Sequence, residues 1–326
     1  MTRVTWPLAL AMLVAAFFLA VGTVHAARVS GLVVVLAAVK DGEGTRITSV
    51  DVQAGRPRLT RSATAKSVAG NQVRLLDATG TVLAEASLVF PKAIQVPPPA
   101  PGAPKDAVPS TVTLETSRTA LVLPYDDTAT RVQLLAAAGK SVLASAKVPV
   151  PSAKIAPLKA RPAPANPGAL HLMLLASGFS DMSTFRTQAA AVESRITSTS
   201  PFTSSGDVSV HAFENTTDVG CYTNCQGIDR LLCCDTSKVL AAAASSGYDY
   251  DEIIVIHDTS TYAGGGYRDY GAHQEDSASS YCAVYNGSYS ELMGLHEFGH
   301  SFGDLCDEYS YTDEGYTYYS CVNCRA

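Results

Sequence analysis

Apolar residues along this chain fall into two regimes. From residue 28 to about 151 they form short runs and alternations. Leu32 to Val39 is an apolar run, Asp41-Gly42-Glu43-Gly44 carries turn signals, and Thr45 to Gln53 alternates. That is the pattern of a strand, a turn and a return strand. An internal echo follows. Val73 to Gly80 leads to Val82-Leu83-Ala84, and Val132 to Gly139 leads to Val142-Leu143-Ala144, each a strand, a glycine turn and a second strand. Two such hairpins predict a β-sandwich-like N-terminal domain, although one echo is too few for a repeat architecture.

Beyond residue 169 strand and helix patterns alternate. Leu170 to Leu175 reads as a buried strand, and Asp181 to Thr197 as a helix with Ser180 or Asp181 as N-cap. Val208 to Phe213 is a short strand, Asp235 caps an alanine-rich helix through Ala244, and Glu252 to His257 is the clearest buried strand. This order predicts an α/β sheet. Pro97 to Pro101 interrupts the first region as an extended loop, and a second proline-rich stretch, Pro157 to Pro167, marks the domain boundary. The expected division is a β-rich domain over 27–156, a linker over 157–168 and a second domain over 169–326. Nothing in the first domain clusters catalytic residue types, so it reads as an accessory module, with inhibition as a propeptide the sharper alternative.

Composition narrows the function classes. A net charge of -6 and the lack of any long basic block argue against nucleic acid or anionic lipid as partner. Arg3, the apolar stretch Leu8 to Gly22 and Val24-His25-Ala26 form a signal-peptide pattern over residues 1–26. The apolar run is shorter than the ~20 residues that span a bilayer. We expect a secreted protein, extracellular or periplasmic, with no membrane anchor after cleavage. All eight cysteines lie between Cys221 and Cys324. In an oxidising compartment they predict disulfides rather than zinc fingers, with connectivity left open. Asn215-Thr216-Thr217 and Asn286-Gly287-Ser288 fit the N-glycosylation pattern.

The chemistry concentrates at His296-Glu297-Phe298-Gly299-His300. On a helix, positions i and i+4 share a face, so both imidazoles can reach one metal ion, and Glu297 is placed to take a proton from a water on that ion. The helix is expected to begin near Ser288 or Ser290. Leu292, Leu295, Phe298 or Gly299, and Phe302 recur at helical spacing towards the core, and Gly303 is expected to end the helix in a left-handed conformation. A catalytic zinc has three protein ligands and an open water position. Asp307, Glu308 and Cys306 compete for the third place; we put Asp307 first and Glu308 second, because a disulfide with Cys321 or Cys324 explains Cys306 more simply. His257 and His273 read as core or surface histidines.

The segment from His296 to Tyr309, with Leu305 and Asp307-Glu308-Tyr309 after the histidines, resembles the extended signature of the IgA-specific metallopeptidase family, family 64 of the zinc metallopeptidases. The resemblance spans about Leu170 to Cys324. It implies a zincin-like α/β catalytic domain, one Zn2+ ion and a protein or peptide substrate. The implied activity is endopeptidase hydrolysis, with zinc held by His296, His300 and Asp307 or Glu308 and with Glu297 as general base. Tyr309 is the first candidate for an additional oxyanion donor. Thirteen of the fifteen tyrosines lie beyond Gly247, and the loop from Tyr262 to Tyr267 is placed to border the cleft and pair with an extended substrate backbone. The turn Ala176-Ser177-Gly178-Phe179 lacks the acidic residue the family often carries there, which bears on substrate choice rather than on the metal. The sequence stops two residues beyond Cys324, which is compatible with a C-terminal truncation. The competing readings are a catalytically silent peptidase-like binding protein and an adhesion or glycan-binding protein that works through its β-rich region.

Overall fold

The computed structural model describes residues 31–57, 71–91, 93–102, 111–137, 141–152, 154–156, 158, 169–203, 208–268, 281–303 and 305. The signal-peptide pattern, nearly all of the proline-rich boundary and Cys306 to Ala326 lie outside them, as does His273. Mixed sheets with few helices make up the described chain.

The apolar runs and alternations of the first regime form strands. β1 (Leu32–Asp41) and β2 (Gly44–Ala54) form an antiparallel hairpin, and β1 also pairs with β7 (Ser117–Pro124). The two echoing segments become β3 (Asn71–Leu76) with β4 (Val82–Leu88), and β8 (Arg131–Leu135) with β9 (Val142–Lys147). They join through β3 and β8 into one sheet of order β4-β3-β8-β9. The sheets β2-β1-β7 and β4-β3-β8-β9 face each other across Val34, Leu36, Val73, Leu75, Leu121, Leu123, Val132 and Leu134.

Residues 169 onward supply parallel strands β10 (Leu170–Ser177), β11 (Val208–Phe213), β12 (Glu252–His257) and β14 (Cys282–Tyr285), with β13 (Gly264–Arg268) antiparallel to β14. Helix α1 (Met182–Thr197) starts on Asp181, whose carboxylate accepts from the Ser183 amide; α2 (Thr236–Ser245) starts on Asp235, which accepts from Ser237 and Lys238. These are the capping residues read from the sequence, and they satisfy amides that the first turn leaves without helical partners. Helix α3 (Ser290–Ser301) packs with α1 on one face of the sheet, against Leu172, Leu174, Ile254, Ile256 and Val284. Helix α2 covers the other face, against Met173, Leu175, Ile253 and Val255.

Two features were not legible in advance. Val33, Val35, Ala120 and Val122, from β1 and β7, pack on α2 within the same core as β10 and β12. Strands β1 and β7 are therefore buried on both faces, while β2 stays largely open, which is why Leu32 to Val39 is a continuous apolar run rather than an alternation. The alanines at 242 to 244 are buried in that layer beside the larger Val239 and Leu240. The second feature is that the large sheet has seven strands, in the order β11-β10-β12-β14-β13-β5-β6. Its last two, β5 (Ala93–Gln95) and β6 (Thr111–Thr113), come from the N-terminal region.

Polar contacts close the junction between the two regions. Arg56 reaches Asp249 at 3.0 Å with both side chains largely covered, the Arg56 amide donates to Ala244 O at 3.0 Å, and Gln53 Nε2 donates to Ala241 O at 2.7 Å. Arg56→Ala leaves Asp249 short of its cation and is expected to lower stability by about 1–3 kcal/mol. Because the two regions share a core, urea denaturation is expected to show one transition, moved to lower urea, rather than loss of one half alone.

Candidate metal centre

Helix α3 carries the H-E-x-x-H motif and ends at Ser301, starting at Ser290 as one of the two sequence-based estimates had it. Its buried residues are Ser290, Met293, Gly294, Glu297, Phe298, His300 and Ser301. The apolar spacing read from the sequence is corrected at one point: Leu292 is exposed, and Met293 takes the core position. The reason is that this helix is enclosed on its polar side too, so burial does not follow hydrophobicity. Gly303 is also corrected. It is absent from the positive-φ glycines, and the helical bonding runs on through Phe302 N to Phe298 O at 2.8 Å and Gly303 N to Gly299 O at 3.0 Å. Its lack of a side chain serves close approach instead, since a Cβ there would sit 2.9 Å from Gly299 O.

The motif histidines converge. Their Nε2 atoms lie 3.1 Å apart, with the rings edge to face. Two nitrogens bound at 2.0–2.1 Å to one tetrahedral ion are separated by about 3.3 Å. The spacing therefore fits a shared metal. His300 Nδ1 lies 2.7 Å from the carbonyl oxygen of Leu305. A carbonyl only accepts, so Nδ1 carries the proton and Nε2 of the neutral ring presents its lone pair. An outer partner of this kind sets the tautomer and orientation of a ligating histidine. Among the described residues no group of three or more histidine, cysteine or acidic side chains gathers into a metal cluster. Asp307, Glu308, Cys306 and Tyr309 lie outside the described residues.

Glu297 is fully buried, next to strand β13. A Cβ on Gly264 would meet Glu297 Oε1 and Met293 at 2.8 Å, and one on Gly266 would meet His300 Cβ at 2.8 Å and Glu297 Oε2 at 3.0 Å. The stretch from Tyr262 to Tyr267, read from the sequence as a loop, contributes a strand from Gly264 laid on the motif helix, and any side chain at 264 or 266 displaces the carboxylate.

Behind the motif lies a polar cluster that sequence reading missed. Glu252 and Ser301 are fully buried, and Ser301 Oγ donates to Glu252 Oε1 at 3.0 Å. Cys282 is a buried free thiol there; burial pushes its pKa well above the usual value, and the charges of Glu252 and Glu297 add to that. One signal was available: a glutamate at the head of the otherwise apolar Glu252 to Ile256.

Other sequence candidates resolve as follows. His257 is half-buried at the end of β12 with Nδ1 3.1 Å from Ser177 Oγ; burial lowers its pKa, against opposing contributions from Ser177, Asp258 and Asp218. It does not approach the motif pair within any described metal cluster. Cys221 pairs with Cys234, and Cys225 with Cys233. Asn215 is buried, its side-chain amide donating to Ala176 O and Thr217 O, so this glycosylation pattern lacks an accessible acceptor. No helix among the described residues is long and apolar enough to cross a membrane.

Residues 207–324 match the model of the IgA Peptidase M64 family. The match begins at β11, so β10 and α1, which the sequence resemblance included, lie before it. No curated protein matches the chain.

Gly266→Ala is expected to cost about 1–3 kcal/mol of stability, as overpacking does, read as a fall in the urea midpoint. Gly42→Ala is the control, since nothing lies within 4 Å of a Cβ there, and it should leave the midpoint close to wild type.

Proposed function

We propose that this chain, a member of the IgA Peptidase M64 family over residues 207–324, is a secreted zinc-dependent endopeptidase. The family match supports a peptidase, and the observation that carries the finer reading is the pair of Nε2 atoms 3.1 Å apart with buried Glu297 between them in sequence. His296 and His300 would hold the ion, with Asp307 or Glu308 as third ligand. A zinc ion so held supplies Lewis acidity, making a water nucleophilic near neutral pH and polarising the scissile carbonyl.

The chain's own residues do the rest. Glu297 takes the proton of the attacking water and returns it to the leaving amine. Its enclosure beneath β13 removes solvent that would compete for the carboxylate and holds it against Gly264 and Gly266. The Leu305 carbonyl keeps His300 in the ligating tautomer, and Ser301, tied to Glu252, anchors the turn that carries His300. Tyr309 is proposed as the oxyanion donor.

The wider assignments belong to the same reading. Parallel strands with one antiparallel strand over the motif helix support a zincin-like α/β domain, and the two facing N-terminal sheets support a β-sandwich-like domain before it. The division at residues 157–168 and the signal peptide over 1–26 are part of the proposal, and the two disulfides favour an oxidising, extracytoplasmic compartment. The substrate is a protein or peptide.

Glu297→Ala is expected to retain stoichiometric zinc by equilibrium dialysis while hydrolysis of an unfolded protein falls about 10²–10⁴-fold. His300→Ala should lose the zinc itself. Stoichiometric zinc without any Glu297-dependent cleavage would favour the silent binding protein instead.

A further inference from the structure

Strand β13 has two edges. One pairs with β14 through Gly264 to Gly266. The other is taken by the chain itself at two places. At Gly264 it meets the disulfide-closed loop, with Leu232 N donating to Gly264 O at 2.8 Å and Gly264 N to Arg230 O at 3.1 Å. At Tyr267 and Arg268 it pairs with Ile94 and Ala93 of β5. Carrying that antiparallel register one residue further sets Gln95 beside Gly266, the residue laid against Glu297 and His300.

The attachment of β5 is built. Ile94 is buried with Leu231, Cys225 and Cys233, the last two joined as a disulfide. Val96 is fully buried, and Arg230, itself buried, donates through Nε to Pro97 O at 2.6 Å. An N-terminal strand is thus pinned, by apolar contact and one guanidinium, onto the sheet edge beside Glu297. Pairing at a sheet edge uses main-chain groups, which any extended polypeptide also has.

We propose that β5 is an internal latch: it occupies the edge of β13 on which an extended polypeptide substrate would lie, and holds the peptidase latent until it is displaced. This rests on the reading of the site as a peptidase. The docked latch lowers the fraction of chains competent to bind, and apparent affinity falls by that fraction.

The test uses the full chain and reduced, carboxymethylated lactalbumin as a permanently unfolded probe. Ile94→Asp sets a charge in the small core under β5, and Arg230→Met removes the clamp on Pro97; the two loosen the latch independently. In a Glu297→Ala background, each is expected to raise probe affinity by about tenfold or more, and with Glu297 intact to raise kcat/KM by a similar factor. Folded variants that bind and cleave as wild type would overturn the latch. Should neither variant fold, amide exchange on the Glu297→Ala chain decides. Loss of protection at residues 93–95 as the probe binds supports the proposal, and protection unchanged with probe bound overturns it. The outcomes separate the two readings: raised affinity with no Glu297-dependent cleavage in any form keeps the latch and removes the catalysis.

Discussion

The contact on which the site depends is that of a glycine strand with a helix. Gly264 and Gly266 let β13 approach α3 until a methyl group at either position would sit within about 3 Å of Glu297 or His300. That approach buries Glu297 without surrounding it by bulk, and it sets Gly266 against His300. A carboxylate in such a place is held by the strand packed over it, so its position is set by the fold.

The same enclosure explains the polar residues behind the motif. The face of α3 turned to β13 and the sheet buries polar as well as apolar groups, so the polar side chains at 297, 300 and 301 need partners. Glu252 and Ser301 meet that need for each other, and Leu305 meets it for His300. The N-terminal region belongs to this economy as well. Its sheet β2-β1-β7 shields α2, and its strand β5 closes the edge of β13, so the second region is covered at a face and an edge by segments far earlier in the chain.

Elements governed by local rules were readable. Asp181 and Asp235 announced their helices, because an N-cap depends on one side chain and the next amides. Glu252 to His257 and Leu170 onward read as buried strands because an apolar run of that length has few other uses. The echo of the two hairpins was visible, but not that β3 and β8 would pair them into one sheet. Leu292 and Gly303 were misread for one reason: helical spacing and glycine preference describe a helix with a solvent face, and α3 is packed against β13, β14 and α1.

By itself, the sequence determined that the two motif histidines meet, since i and i+4 on a helix place His296 and His300 together whatever surrounds them. It also determined the capped helices and the family resemblance. Only the tertiary structure decided that the glycine run is a strand against Glu297, that Glu252 and Ser301 lie behind it, and that β5 takes the outer edge. These are contacts between segments far apart in the chain, set by which backbones can approach closely, and no local spacing encodes that.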